Sequence, residues 1–484
     1  MSLTGLEFVF FLPAVLVLHW AGPRRAAWQN AVLLLASYVF YLSWDPAVGW
    51  AILLSTAVDY AVGLYLAAHP GEGRGRRVAL GASVAFNVGF LGFFKYAGFF
   101  ATSLNDLLGA VGLPASVEVL KVALPIGISY YTLQKLSYTI DLYYDRIPAC
   151  RNALTFATFV AFFPQIVCGP ITRARDMVPQ FSRPRALDAE TVAAGARAFL
   201  LGFFMKAYVA DRLGSGFADP VFGEPGRYGA LSHWVALLAY AVHIFCDFGG
   251  YSFMAIGVGR LLGLELPLNF DRPFLSRSML EFWRRWHITL NTWLFDYLFA
   301  PMVTGHGRMR NRFALGFMIV FMISGLWHGP YWTFVLWGLL HGVALAVNRQ
   351  WDETYKGLCR RDRAWVARRR SAPYALAAWA VTQVFFVLTL VPFRAPSLER
   401  AFEFARGLFG GGGEERMHVA SLHLAVAALF MIAYHGLEVG PGQRLKGRFA
   451  ALPAPVRGLA YGLLLVFLLV FVPVGESTFV YAQF

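Results

Sequence analysis

The chain has 484 residues, of which 58% are hydrophobic and 14% are charged, and its formal net charge is +14. Soluble domains are about half apolar and about a quarter charged, so this composition excludes an ordinary water-soluble fold and predicts a multi-pass membrane protein. The four cysteines are far apart and form no C-x-x-C pair, which excludes a zinc ribbon, a thioredoxin-like motif and a disulfide framework.

The apolar segments are the first elements that the sequence predicts. A bilayer core of about 30 Å requires roughly 20 apolar residues per helix. The first segment has no Lys or Arg before its apolar stretch, so we expect a retained span and not a secretory leader. The ten predicted spans are residues 3–20, 28–44, 46–68, 78–101, 119–142, 192–210, 231–263, 373–392, 418–437 and 458–475.

The basic residues lie in short runs between the apolar segments. Nucleic-acid-binding proteins concentrate such residues on one face, so this distribution predicts membrane topology and no nucleic-acid partner. Arginines follow the first, third and fifth predicted spans, whereas the connections at 45–46 and 102–118 carry none. Because cytoplasmic loops are enriched in Lys and Arg, the pattern places the arginine-bearing loops in the cytoplasm and the N-terminus outside.

Two apolar stretches have basic residues on both sides, so neither is predicted to cross the bilayer fully. Residues 152–170 contain two prolines that interrupt a helix, and we expect a re-entrant loop there. As one helix, residues 313–347 would reach roughly 50 Å, which is longer than a normally tilted span. They are predicted to break at Gly329-Pro330, since Pro suits the first position of a new helix. The break places His328 at membrane depth.

His328 is the first candidate for a catalytic residue. It lies at the predicted break, between Trp327 and Tyr331, and has no acidic residue near it in the sequence. A desolvated imidazole without an acidic partner stays neutral, which is what a general base requires at physiological pH. A core histidine bonded to a backbone carbonyl is the structural alternative. The break and the aromatic neighbours favour the functional interpretation.

Residues 276–299 form a second cluster with polar groups among aromatic ones. Ser278 and Glu281 have the spacing of a capping box, which predicts a helix that begins near residue 279. An adjacent stripe of this helix is aromatic and includes Trp286. An interfacial helix explains the arginines and some tryptophans, but not a His and an Asn on the side that is predicted to be buried. Trp283, His287 and Asn291 are each four residues apart, which predicts that one helix face carries all three.

Asp247, in the sequence FCDFGGYS, is an ionisable residue within a predicted span. It is a functional candidate, with a structural bond between helices as the alternative.

No metal-ligand, nucleotide-binding or serine-nucleophile motif occurs, so no metal is predicted. Two classes of function stay open: a membrane acyltransferase with His328 as base, and a transporter or flippase with His328 as proton relay. Paired inverted halves, which a transporter predicts, are not evident.

Seven sequence blocks are STAVDY, FFKYAGFF, LPIGISYYTLQKLSYTIDLYY, FFPQIVCGPITR, DFGGYSFMAIGVGRLLGLELPLNFDRPF, EFWRRWHITLNTWL and GLWHGPYWTFVLWGLLHG. Together they resemble the membrane-bound O-acyltransferase family, and within it the alginate O-acetylation branch, over nearly the whole chain. The resemblance implies an all-α, multi-pass membrane fold with about ten full spans and re-entrant helices around an intramembrane site. We expect one membrane domain over residues 1–484, with N-terminal helices (1–150), a catalytic core (151–350) and C-terminal helices (371–484).

The resemblance implies that His328 corresponds to the signature histidine of the family and His287 to its second functional position. It implies acyl transfer from a cytoplasmic thioester, with acetyl-CoA as the expected co-substrate and no bound cofactor. His287 or Asn291 is expected to orient the acceptor or to stabilise the oxyanion. The residues expected to contact the substrate or the acyl donor are Trp283, Trp286, Asn291, Trp327, Tyr331 and Asp247.

The expected function is O-acetylation of an exported polysaccharide such as alginate. Transfer of D-alanine or another acyl group to a cell-envelope polymer is the alternative within the family. The resemblance also implies a location in the bacterial cytoplasmic (inner) membrane, an extracytoplasmic SGNH-type acetyltransferase partner, and polysaccharide synthesis and export machinery.

Overall fold

The computed structural model describes residues 1–113, 116–119, 123–417, 422–437 and 441–471. These residues are mainly α-helical, and the described part of the chain contains no β-strand beyond one isolated bridge. The predicted all-α fold is therefore confirmed. The helices belong to two compact units, and two of the helices contribute residues to both units.

Unit 1 comprises residues 1–200 and 251–268. A π-helical turn at Gly92–Tyr96 joins two of its helices, α4 and α5, into one helical segment of 37 residues. The helices that begin in unit 1 are α1 (Leu6–Ala21), α2 (Ala26–Leu42), α3 (Gly49–Ala68), α4 (Arg74–Leu91), α5 (Ala97–Ala110), α6 (Ile128–Tyr143), α7 (Ala153–Ala161), α8 (Phe163–Ile166), α9 (Ala174–Phe181) and α10 (Ala189–Phe203).

A buried ion pair joins three helices of unit 1. Lys135 Nζ on α6 lies 3.4 Å from Asp59 Oδ2 on α3, and both side chains are fully buried. The Asp59 carboxylate also accepts hydrogen bonds from Ser83 Oγ at 2.6 Å and from Asn87 Nδ2 at 2.8 Å, both on α4. Buried charges are tolerated when they are paired and hydrogen-bonded, so this cluster stabilises the contact between the helices.

Helix α6 begins later than the predicted span 119–142. Pro125 cannot donate a backbone hydrogen bond, and Gly127 adopts a left-handed φ of 74°. A Cβ at Gly127 would lie 2.0 Å from the Ile166 carbonyl oxygen, so this close approach requires glycine. The prediction is wrong for residues 119 and 123–127, and residues 120–122 lie outside the described part of the chain.

The predicted interruption of residues 152–170 is confirmed. Helix α7 ends at Ala161, Phe162 leaves the helical conformation, and α8 has only four residues. At about 1.5 Å per residue, neither helix reaches across a bilayer core of roughly 30 Å.

Unit 2 comprises residues 201–250 and the described residues from 269 onward. Short π-helical and 3₁₀ turns connect several of its helices. The remaining helices are α11 (Asp211–Leu213), α12 (Asp219–Gly223), α13 (Ala230–Leu261), α14 (Met279–Arg285), α15 (Ile288–Leu294), α16 (Ala300–Thr304), α17 (Phe313–His328), α18 (Trp332–Arg361), α19 (Arg363–Arg370), α20 (Ala372–Arg394), α21 (Leu398–Gly407), α22 (Leu422–Gly436), α23 (Pro441–Ala450) and α24 (Ala454–Phe471).

Helices α17 and α18 form an antiparallel hairpin. Helix α17 ends at His328 and α18 begins at Trp332, so the predicted break at residues 329–330 is confirmed. A Cβ at Gly338 would lie 2.2 Å from the Phe321 carbonyl oxygen, and one at Gly342 would also meet backbone atoms of α17. Small residues let membrane helices approach closely, and these glycines bring the two backbones into contact.

Five segments of the described chain are helices long and apolar enough to cross a membrane, and the bent pair α23 and α24 forms a sixth if it counts as one span. Helices α1, α2, α17 and α22 are shorter apolar helices. Each predicted span overlaps a helix, and residues 418–421 and 472–475 lie outside the described part of the chain. The multi-pass membrane protein is confirmed, and the count of ten spans stays a prediction. The five segments are 49–68, 74–110, 189–223, 230–261 and 372–394.

We expect Gly338→Ala to destabilise the protein, because the new methyl group meets the backbone of α17. Overpacking of this kind costs about 1–3 kcal/mol in the free energy of unfolding, which lowers the thermal unfolding midpoint of the detergent-purified protein. Gly357→Ala, on the same helix, is the matched control, since no atom lies within 4 Å of the added Cβ. Equal midpoints for the two variants would contradict the tight contact between α17 and α18.

Candidate active site

His287 lies in a break between α14 and α15. The predicted N-cap is confirmed, since Ser278 Oγ accepts a hydrogen bond from Glu281 N at 3.1 Å. The helix then ends at Arg285, Trp286 is extended, and His287 adopts a left-handed φ of 43°. The prediction that one continuous helix face carries the tryptophan, histidine and asparagine of this cluster is therefore wrong.

The segment that precedes α14 supplies the hydrogen bonds that a continuous helix would have made. Asp271 N donates to Arg285 O at 2.9 Å, and Ile288 N donates to Asn269 O at 2.9 Å. The Asn269 side chain accepts from the backbone N–H of Thr289 at 3.3 Å. These bonds satisfy backbone groups on both sides of the break, which is why the chain can leave the helix without a Gly or a Pro.

His287 and His328 lie side by side within unit 2. Their ring centroids are 6.3 Å apart, and the Trp327 ring lies 5.8 Å from His287 and 5.1 Å from His328. The two histidines are 1% and 4% exposed, respectively. The structure thus brings together the two residues that the resemblance selects, each at the end of a helix.

The surroundings of His328 are aromatic. Its ring centroid lies 5.2 Å from that of Trp337 and 5.4 Å from that of Phe393, both in edge-on contacts. These two aromatic rings shield part of the imidazole from water. This arrangement suits a general base.

Trp283 belongs to a structural network with a third histidine. Trp283 Nε1 lies 3.3 Å from His341 Nδ1, and His341 Nε2 lies 3.0 Å from Thr389 Oγ1. An indole N–H can only donate, so His341 Nδ1 accepts and Nε2 carries the hydrogen. Both ring nitrogens of His341 therefore have partners.

Three other predicted contact residues lie in different environments. Trp286 is buried in an aromatic cluster with Phe270 and Phe386. Asn291 Nδ2 donates to Trp283 O at 2.6 Å and so links α15 to α14. Tyr331 lies in the turn of the α17–α18 hairpin and is 46% exposed.

Asp247 forms an ion pair that the sequence analysis missed. Lys206 Nζ lies 2.6 Å from Asp247 Oδ1 and 2.8 Å from Asp211 Oδ1, and Asp247 is fully buried. A lysine in an apolar segment is the signal that could have found Lys206. Asn269, the second missed residue, carries no such signal.

Within the described ranges, no group of three His, Cys, Asp or Glu side chains is placed to hold a metal ion.

Comparison with known proteins identifies one family. Residues 130–391 match the model of the membrane-bound O-acyltransferase family, a range that includes both histidines. The probable alginate O-acetylase AlgI of Azotobacter vinelandii is 34% identical over 456 residues, which cover 91% of this chain and 86% of the relative. The peptidoglycan O-acetyltransferase of Helicobacter pylori is 33% identical over 445 residues, which cover 85% of this chain and 80% of the relative. The teichoic acid D-alanyltransferase of Bacillus subtilis is 29% identical over 250 residues, which cover 48% of this chain and 62% of the relative.

We expect Trp283→Phe to destabilise the protein, because it leaves the buried Nδ1 of His341 without its donor. An unsatisfied buried acceptor costs about 1–3 kcal/mol, which a thermal unfolding measurement in detergent detects. Trp351→Phe is the control, since Trp351 is 52% exposed and its bond to Tyr374 Oη is at the surface. A control that loses as much stability as Trp283→Phe would contradict the buried network.

Proposed function

Because the chain belongs to the membrane-bound O-acyltransferase family, we propose that it moves an acetyl group from a cytoplasmic thioester to an exported polysaccharide such as alginate. The observation that carries the catalytic assignment is the contact of His287 with His328, whose ring centroids are 6.3 Å apart at two helix ends. The acyltransferases named for alginate and peptidoglycan among its relatives support a polysaccharide as the final acceptor.

In this proposal His328 is the general base. Its imidazole takes the proton of an acceptor hydroxyl while the hydroxyl oxygen attacks the carbonyl carbon of the thioester. The tetrahedral intermediate then collapses, the carbon–sulfur bond breaks, and the imidazolium returns the proton to the departing thiolate. The products are the acetyl ester and the free thiol. The rings of Trp337 and Phe393 contact this imidazole edge-on and hold it at the end of α17.

Acetyl-CoA is the proposed donor. Five arginines near the end of α18 and along α19 are exposed, and the sequence predicts that this region faces the cytoplasm. A basic cytoplasmic surface favours the phosphates of coenzyme A, although membrane topology alone also produces such a surface. The five are Arg360, Arg361, Arg363, Arg368 and Arg370.

The proposal also includes the location and the partners. The protein acts in the bacterial cytoplasmic (inner) membrane, with an extracytoplasmic SGNH-type acetyltransferase and the polysaccharide synthesis and export machinery as its partners. A polymer outside the cytoplasm and a thioester inside it require an enzyme that is reached from both faces of the membrane. The multi-pass helical structure supports that requirement.

D-alanyl transfer to a cell-envelope polymer is the second candidate. Teichoic acid D-alanyltransferases of Streptococcus thermophilus and Bacillus subtilis support it, but they match less than half of this chain. The probable alginate O-acetylase of Azotobacter vinelandii matches 91% of it, which favours the acetyl group.

We expect His328→Ala to lower acetylation by roughly 10²-fold to 10⁴-fold, because the general base is lost. The measurement is ester acetate on the exported polymer, at equal abundance of the protein in the membrane. His341→Gln is the control: this histidine is also buried, but its ring nitrogens serve the network with Trp283 and Thr389. The control is expected to keep its activity per folded molecule. Wild-type acetylation by His328→Ala would overturn the catalytic assignment.

Labelled acetyl-CoA and vesicles reconstituted with the wild-type protein test the reaction class. An acetyltransferase consumes the donor and releases free coenzyme A, whereas a transporter moves its substrate without doing so. Consumption of a D-alanyl thioester in place of acetyl-CoA would favour the second candidate. Movement of substrate without loss of either thioester would overturn acyl transfer.

A further inference from the structure

The orientation of the His287 ring is determined by Asn269, a fully buried side chain. Asn269 Oδ1 lies 3.2 Å from His287 Nδ1, 2.9 Å from Thr289 Oγ1 and 3.3 Å from Thr289 N. A backbone N–H can only donate a hydrogen bond. The Asn269 atom that faces Thr289 N and His287 is therefore the amide oxygen and not the amide nitrogen.

An oxygen at this position determines the tautomer of His287. Because Asn269 Oδ1 carries no hydrogen, its contact with His287 Nδ1 is a hydrogen bond only when Nδ1 carries one. A neutral imidazole has a single N–H, so Nε2 then presents a lone pair. Nε2 is buried and has no hydrogen-bond partner among the described residues. Buried polar atoms are almost always satisfied, which indicates that a ligand donates to Nε2.

The backbone and a neighbouring ring hold this arrangement in place. His287 has a left-handed φ of 43°, which a residue with a side chain adopts rarely and keeps only where its surroundings enforce it. The hydrogen bond from Ile288 N to Asn269 O supports the turn. The Phe248 ring meets the His287 ring edge-on, with centroids 4.6 Å apart, and so restricts its rotation.

We infer that Asn269 is a positioning residue that holds His287 as a hydrogen-bond acceptor for the acyl acceptor. The inference rests on the proposed acyl transfer and separates the two roles that the resemblance allows for His287. A lone pair at Nε2 accepts the hydrogen of a hydroxyl group, but it cannot donate to the oxyanion of the tetrahedral intermediate. His287 therefore orients the acceptor and does not stabilise the oxyanion.

The same geometry specifies the chemical class of the acceptor. A hydroxyl group has one hydrogen, and in the proposed reaction His328 takes the hydrogen of the attacking hydroxyl. The hydroxyl that binds His287 Nε2 is consequently a second one. The two rings are neighbours, with centroids 6.3 Å apart, so the hydroxyls that they bind are neighbours too. A sugar residue with adjacent hydroxyl groups meets this requirement.

Nitrogen-15 NMR of histidine-labelled protein tests the tautomer without turnover. The His287 signals are identified by their loss in His287→Gln. In the wild type we expect Nδ1 to carry a hydrogen and Nε2 to carry none. A protonated Nε2 in the wild type would overturn the inference. Because this measurement needs no substrate, a wild type with the expected tautomer that consumes no acetyl-CoA would contradict the proposed function alone.

Asn269→Asp tests the positioning role in cells. The variant keeps an acceptor oxygen beside Nδ1, but its negative charge favours the imidazolium, in which Nε2 carries a hydrogen. We expect acetylation of the exported polymer to fall roughly tenfold or more at neutral pH, as when a histidine is held in the wrong state. Deprotonation at higher pH restores the lone pair, so the acidic limb of the pH profile moves to higher pH. His328 is the titratable side chain in ring contact with His287, and it is unchanged in Asn269→Asp, so a shift of the limb relative to the wild type reports the change at Asn269.

Thr289→Val is the matched control for Asn269→Asp. It removes one hydrogen bond to the same Asn269 oxygen, but it leaves the bond to His287 Nδ1. We expect a pH profile like that of the wild type. If both variants lost activity equally without a shift of the pH profile, Asn269 would be structural only, and the inference would be overturned.

Discussion

The structure depends on the rule that a polar group in an apolar environment must find its partner within the protein. In unit 1, the carboxylate of Asp59 lies against Lys135 and two neutral donors. In unit 2, Lys206 lies between Asp211 and Asp247. A single buried charge is costly, whereas a paired and hydrogen-bonded one is tolerated. These ion pairs therefore connect helices, and an ionisable residue within a span of this protein is not by itself a sign of catalysis.

The same rule explains how two helix ends can meet at the site. A helix that ends leaves backbone N–H and C=O groups without partners. At the α14–α15 break, the segment that contains Asn269 supplies them. At the α17–α18 turn, Gly329 N donates to Gly325 O at 3.2 Å and Phe334 N to Tyr331 O at 3.1 Å. With the backbone satisfied locally, the side chains at the two ends can face each other.

The two breaks also show what the sequence can and cannot predict. The break after His328 follows from the sequence, because the mainly apolar segment 313–347 is longer than the bilayer is thick and a Gly-Pro pair lies near its centre. The break at His287 does not, because residues 279–294 contain neither Gly nor Pro and their periodicity fits one helix. The competing hydrogen bonds come from Asn269 and Asp271, which precede that helix. Likewise, Asp247 could be selected from its position in an apolar segment, but its pairing with Lys206 depends on a contact between helices.

Burial alone does not distinguish the proposed catalytic histidines of this protein from a structural one. His341 is as deeply buried as His287, but an indole donor and a threonine hydroxyl determine the state of both its ring nitrogens. At His287 only one nitrogen is occupied, by an acceptor that fixes the hydrogen on Nδ1. An unpartnered ring nitrogen is not sufficient either, since His233 and His435 each have one. His287 differs from both, because it has a left-handed backbone conformation and contacts His328, which lies at the end of another helix. A nitrogen whose lone pair is not occupied by a structural bond, next to a second imidazole, can accept a hydrogen bond from a substrate, whereas a nitrogen that a structural bond already occupies cannot.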